Sequence, residues 1–208
     1  MTLAIWLALA PLRLAAALGL RRSLILACLF VLTVTAYGVA EDLGLLNPPA
    51  AAKPTRQASQ APPSAVARAD TPTGYLTLYR TAARRCPGLS WSILAAIGKV
   101  ESDHGRSRLP GVRSGWNQAG AAGPMQFGIG VGRAGNAWAS YGADYDRDGR
   151  RSVYDPGDAI PAAARYLCAA GAPHQLDRAI YAYNHSWAYV AKVKAIAARY
   201  RARGSGQR

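Results

Sequence analysis

Apolar and polar positions follow three patterns along the chain. From Ser23 to Ala40 no residue is charged, and this run is bounded by Arg21 and Arg22 before it and by Glu41 and Asp42 after it. Residues 47–72 show no period and are rich in Pro, Ala, Ser and Gln. From about residue 73 the apolar positions recur every three to four residues, the spacing of one helix face. That spacing predicts a short helix over Tyr75–Arg85, stopped by Cys86-Pro87-Gly88. A second helix follows with Ser90 as its cap, placing Ile93, Leu94, Ile97, Val100 and Glu101 on one face. An amphipathic helix closes the chain after Trp187. The expected fold class is mainly α, α+β at most, in three parts: a signal or anchor segment over 1–42, a disordered linker over 43–72 and one helical domain over 73–204.

The uncharged run sets the expected compartment. Its length at the helical rise is about 27 Å, enough to cross a bilayer core. Basic residues precede it, which puts the N-terminus in the cytoplasm and everything after Ala40 outside. Gly38 and Ala40 also suit the positions before a signal-cleavage site. Residues 1–20 are apolar apart from Arg13, as in an interfacial segment or a second span. Retained or cleaved, the segment predicts an exported domain on the cell-envelope side. Export gives Cys86 and Cys168 the expectation of a disulfide, two buried thiols being the alternative, while Cys28 lies within the apolar run.

Charge narrows the partners. The formal net charge is +14, carried mostly by dispersed Arg residues. An excess of this sign fits an anionic polymer or lipid nearby, but no nucleic-acid-binding motif is present, so no nucleic-acid partner is expected. Glu is nearly absent: Glu41 and Glu101 are the only two in the chain. Glu is a good helix former and is normally scattered over exposed helix faces. Here it occurs once in the domain, at the end of an apolar face, where burial would raise its pKa.

Three further segments carry candidate chemistry. "AGAAGPMQFGIG", Ala119 to Gly130, has four glycines and a proline around Met125, Gln126 and Phe127. The trio offers an apolar contact, an amide and a stacking surface, which suits a sugar; a packing turn is the alternative. "DYDRDGRRSVYD" places Asp144, Asp146 and Asp148 at positions 1, 3 and 5 of a calcium loop, with Gly149 at the turn. Arg150 would supply a backbone carbonyl, and Asp155 stands where a bidentate Glu is usual. The segment reads either as a structural calcium site or as a solvated, Arg-paired acidic loop. "AIYAYNHSWAYV" sets Tyr181, Tyr183 and Trp187 around Asn184, as core or as the wall of a groove.

In order, "ESDHG", "GAAGPMQF", "YGADYDRDGRRSVYDPGDAIPAAARYLCAAG" and "AIYAYNHS" resemble the lytic transglycosylases of bacterial cell walls. The likeness is greatest to exported actinobacterial members similar to the membrane-bound type B branch, and it spans about residues 73–200. It implies a lysozyme-like helical domain with a cleft between two lobes. It implies Glu101 as the catalytic acid, Ser102 beside it, Met125 and Gln126 lining the cleft, and a contribution from Tyr183 and Asn184. It also favours the calcium site, and implies peptidoglycan glycan strands as substrate, no required cofactor and a monomer anchored through its N-terminal segment. The chain departs from the family pattern at "FGIGVGRAGNAW" and at "AYNHS". Competing expectations are a hydrolytic muramidase using Asp103 as second carboxylate, and a tethered peptidoglycan-binding domain without activity.

Overall fold

The computed structural model describes residues 61–202. The apolar run 23–40, residues 1–20, Cys28 and the linker as far as residue 60 lie outside the described residues. Among the described residues no helix is long and apolar enough to cross a membrane.

The described chain is mainly helical. Its helices are α1 (Ala65–Asp70), α2 (Thr73–Ala83), α3 (Trp91–Ser102), α4 (Ala137–Tyr141), α5 (Pro156–Ala169), α6 (Leu176–Asn184) and α7 (Trp187–Arg201). Between α3 and α4 the glycine-rich segment forms a two-residue antiparallel hairpin, β1 (Ala121–Ala122) and β2 (Phe127–Gly128), which pairs Ala121 with Gly128 and Ala122 with Phe127. A single 3-10 turn, Gly132–Ala134, follows it. The hairpin lies in the glycine-rich segment for which a packing turn is one of the two readings.

α3 runs through the core. Every residue from Trp91 to Gly98 is buried, so this helix is enclosed on all sides rather than on the single face its periodicity predicts. α2 and α7 pack on it, α5 packs on α2, and α6 packs on α7. Ser90 is the N-cap residue, but its hydroxyl pairs with that of Ser92 and caps no backbone N–H. A disulfide joins Cys86, just past α2, to Cys168 in α5 across 82 residues. Closing a loop of that length removes unfolded-state entropy worth about 4 kcal/mol in the chain-entropy model.

Packing begins upstream of residue 73. Part of the segment expected as linker folds as α1, with the Ser64 hydroxyl accepting from the Ala67 N–H. The Ser64 N–H donates to the Tyr200 carbonyl, and the Trp91 indole N–H donates to the Ala61 carbonyl. Pro- and Ala-rich composition hides this docking, because the helix that α1 packs on, α7, lies more than a hundred residues later.

A buried polar cluster fastens the end of α3. The His104 ring is buried between Tyr79 and Tyr200. Tyr200 donates its hydroxyl hydrogen to Asp70 Oδ2 at 2.5 Å. It can therefore only accept from His104 Nε2–H (3.2 Å), leaving Nδ1 to accept from Tyr79 at 3.0 Å. The ring is a neutral imidazole, and burial pushes its pKa down to about 4. Around it, Lys99 bridges Asp70 and Asp103, and Arg106 pairs with the same two carboxylates.

Candidate active site

Glu101 occupies the last turn of α3, and the chain turns sharply just after it. Asp103 and His104 both take left-handed backbone angles, φ 52° and 55°. Ser102 locks that turn from within. Its hydroxyl donates to the Pro124 carbonyl at 2.6 Å and accepts from the Gly105 N–H at 2.8 Å. Ser102 is thus buried and fully engaged with backbone; it ties α3 to the hairpin and does not line the groove.

The groove beside Glu101 has a volume of about 570 Å³, within the range of small-ligand sites. The hairpin and the turn after it form one wall; the C-terminal end of α6 forms the other. Gln126 and Phe127 belong to the first wall and Tyr183 and Asn184 to the second, so four of the expected substrate-binding residues line the groove that Glu101 lines, although the Phe127 ring itself is buried against Trp138 and Tyr183. Met125 does not join them. Its side chain is fully buried in the core, and its contribution is a carbonyl that accepts from the Tyr183 hydroxyl at 2.8 Å. Trp187 is exposed and stacks on Tyr181, ring centroids 4.7 Å apart, without lining the groove.

The amide of Gln126 has one orientation. Its backbone is left-handed, φ 51°, a costly conformation for a residue with a side chain. Its Nε2 donates to the Gly123 carbonyl at 2.8 Å, and its Oε1 accepts from Asn117 Nδ2 at 2.9 Å. Asn117 Oδ1 in turn accepts from the Ala119 and Ala121 N–H groups, which fixes its own amide. Gln126 still has one N–H and one lone pair to offer, the complement of an acetamido group.

Electrostatics separate the two acids at the end of α3. Burial raises the Glu101 pKa to about 7, opposed by the Tyr189 hydroxyl and by the charge of Lys192. Tyr189 donates to Glu101 Oε1 at 2.5 Å. With Oε1 so occupied, the proton of the neutral acid resides on Oε2. Asp103 is the opposite case: hydrogen bonds from Arg106 and Lys99 hold its pKa far below the ordinary carboxylate range. Glu101 is the only carboxyl among the described residues lining the groove. Comparison with protein-family models, curated proteins and solved structures finds no match.

The acidic loop lies apart from the groove. Asp144, Asp146 and Asp158 gather their carboxylate oxygens within 4.8 Å, as do Asp146, Asp148 and Asp155. Asp155 is also the N-cap of α5, accepting from the Gly157 N–H at 2.7 Å. Arg150 follows Asp148 with its side chain exposed, and its N–H donates to Asp148. Asp158, absent from the expected set, is fully buried and accepts from the N–H groups of Tyr145 and Ser152.

Sequence reasoning missed Asn117, Tyr189, Arg133 and Asp158. Tyr189 is 88 residues from Glu101, and nothing local marks it. Asp158 had a signal, since it stands one helical turn after the cap of α5.

The raised pKa of Glu101 links stability to pH. Between pH 4.5 and 7 the folded protein keeps a proton that the unfolded chain has released, so the folded state carries no penalty below pH 4.5 and loses stability as pH rises through 7. The loss reaches at most about 3 kcal/mol. Glu101→Gln, a neutral isostere, is expected to match the wild type in denaturant unfolding near pH 4 and to exceed it increasingly up to pH 8. An offset that is the same at every pH would contradict the assignment.

Proposed function

We propose that the protein is a peptidoglycan lytic transglycosylase with a lysozyme-like fold, cleaving the β-1,4 bond between N-acetylmuramic acid and N-acetylglucosamine. The observation that carries this reading is the solitary, desolvated carboxyl. Glycosidases that hydrolyse by the common routes need two carboxyl groups flanking the bond. The groove supplies one, and the nearest other acid in sequence, Asp103, is committed to Lys99 and Arg106. One carboxyl suffices where the substrate provides its own nucleophile.

The steps follow from that arrangement. Glu101, protonated near neutral pH, gives its proton to the glycosidic oxygen as the C–O bond breaks. The 2-acetamido group of the muramic residue shares the positive charge at C1, as in substrate-assisted glycosidases. Gln126 meets that amide with the one donor and one acceptor it has left. Glu101, now a carboxylate stabilised by the Tyr189 hydroxyl, takes the proton from the muramic 6-hydroxyl, whose oxygen closes on C1. The product is a 1,6-anhydro end. The proton returns to Glu101, and no water is consumed.

The same reading places the domain outside the cytoplasmic membrane, held there by residues 1–42 or released after signal cleavage, and working as a monomer on glycan strands. The acidic loop fits a structural calcium ion, a hard cation preferring oxygen ligands. Its five carboxylates converge in two overlapping groups, and none is ion-paired among the described residues. Asp144, Asp146, Asp148, Asp155 and Asp158 would hold it, bracing the start of α5. A chelator is then expected to lower the thermal unfolding midpoint and added calcium to restore it; a midpoint insensitive to both would remove the metal.

The activity is tested by digesting purified peptidoglycan with the full chain and weighing the released muropeptides. Anhydro ends, lighter than reducing ends by one water, are expected, and Glu101→Gln should lower their release at least about 100-fold. Reducing ends would favour a hydrolase. Release undiminished in the variant would sink the mechanism.

A further inference from the structure

The wall that carries the departure from the family pattern, Ile129 to Asn136, presents an arginine to the groove. Arg133 sits in the 3-10 turn and lines the groove. Its backbone is held firmly. The Ala134 N–H donates to the Ala119 carbonyl at 2.7 Å, the Gly130 N–H to the Gly135 carbonyl at 2.8 Å, and the Ile129 N–H to the Gly120 carbonyl at 3.2 Å. Two glycines let the turn sit this close. A Cβ on Gly120 would overlap the Val131 carbonyl, and one on Gly128 would overlap the Ala134 carbonyl. The turn is therefore pressed onto the hairpin, and the arginine it carries has a fixed root.

The side chain itself is unengaged. Arg106 pairs with Asp70 and Asp103, and Arg85, Arg151 and Arg165 lie over aromatic rings. Arg133 has no ion pair, no side-chain hydrogen bond and no ring partner among the described residues, and it is exposed. It is the one Arg or Lys among the described residues lining the groove. Glu101 is the only carboxyl among the described residues in the lining and holds its proton until pH rises through about 7. Below that pH the groove wall is positive, a field that neutral sugars alone do not use. A guanidinium fork on a rigid root matches a carboxylate.

We infer that Arg133 is a specificity residue that pairs with a carboxylate borne by the glycan substrate away from the scissile bond, so that the groove selects strands whose substituents keep free carboxylates. The inference rests on the peptidoglycan reading of the groove. It distinguishes Arg133 from the machinery around Glu101, because the pairing acts on binding and leaves the proton transfers untouched.

The test measures binding without turnover, using the full chain with Glu101→Gln. The probes are soluble peptidoglycan glycopeptides with free side-chain carboxylates, and the same fragments with those carboxylates capped as amides. The carboxylate form is expected to bind about tenfold more tightly than the amide form, with the advantage shrinking as salt rises. Adding Arg133→Gln should erase the difference by weakening only the carboxylate form, and Arg133→Lys should restore part of it. A tenfold preference that survives Arg133→Gln, or equal binding of both fragments before it, overturns the role of Arg133 and leaves the glycan reading standing. If neither fragment binds the Glu101→Gln protein, the glycan reading falls, and this inference with it.

Discussion

Desolvation of one carboxyl is the constraint around which the site is arranged. A buried acid without a partner is costly, and proteins normally pair it or leave it in water. Glu101 is half-buried and has no counter-charge paired to it among the described residues, because α3 is enclosed along most of its length and ends where the core opens into the groove. Its partner is a neutral hydroxyl, that of Tyr189 on α7, which stabilises the carboxylate without supplying a counter-charge. The result is an acid balanced between its two forms near neutral pH, which is what a group that must first give and then take a proton requires.

The surroundings of α3 keep that balance from being upset. Two residues beyond Glu101, Asp103 carries the same functional group and has the opposite fate, because Lys99 and Arg106 hold it as an anion. The left-handed stop at Asp103 and His104 turns the chain there, and the neutral His104 is buried between two tyrosines. Positive charge at the end of the helix is thereby absorbed by Asp70 and Asp103. Ser102 connects this cluster to the hairpin, so the floor and one wall of the groove share a single fixed point.

Much of this could be read before the fold was seen, and the remainder fails for identifiable reasons. Helical period located α2, α3 and α7 to within a few residues, and the rarity of Glu singled out Glu101. Gln126, Phe127, Tyr183 and Asn184 met in the groove because short motifs of glycine, amide and aromatic residues carry their geometry locally. Ser102 and Met125 were misplaced since their neighbours in sequence face the groove while their own side chains turn to backbone and core. Tyr189 and α1 depend on partners far along the chain, and a periodic pattern holds no record of such pairings. Asn117 looked like an ordinary loop residue; only its two backbone acceptor contacts and its link to Gln126 give it a task.

The scarcity of glutamate also offers the most direct test. With only Glu41 and Glu101 in the chain, selective labelling of glutamate side-chain carboxyl carbons with carbon-13 gives two signals to follow by NMR as pH is varied. One of them, absent in Glu101→Gln, is expected to titrate with a midpoint near 7. Two signals that both titrate in the ordinary glutamate range, near 4.3 or so, would contradict the account of Glu101 as a carboxyl kept protonated by its burial.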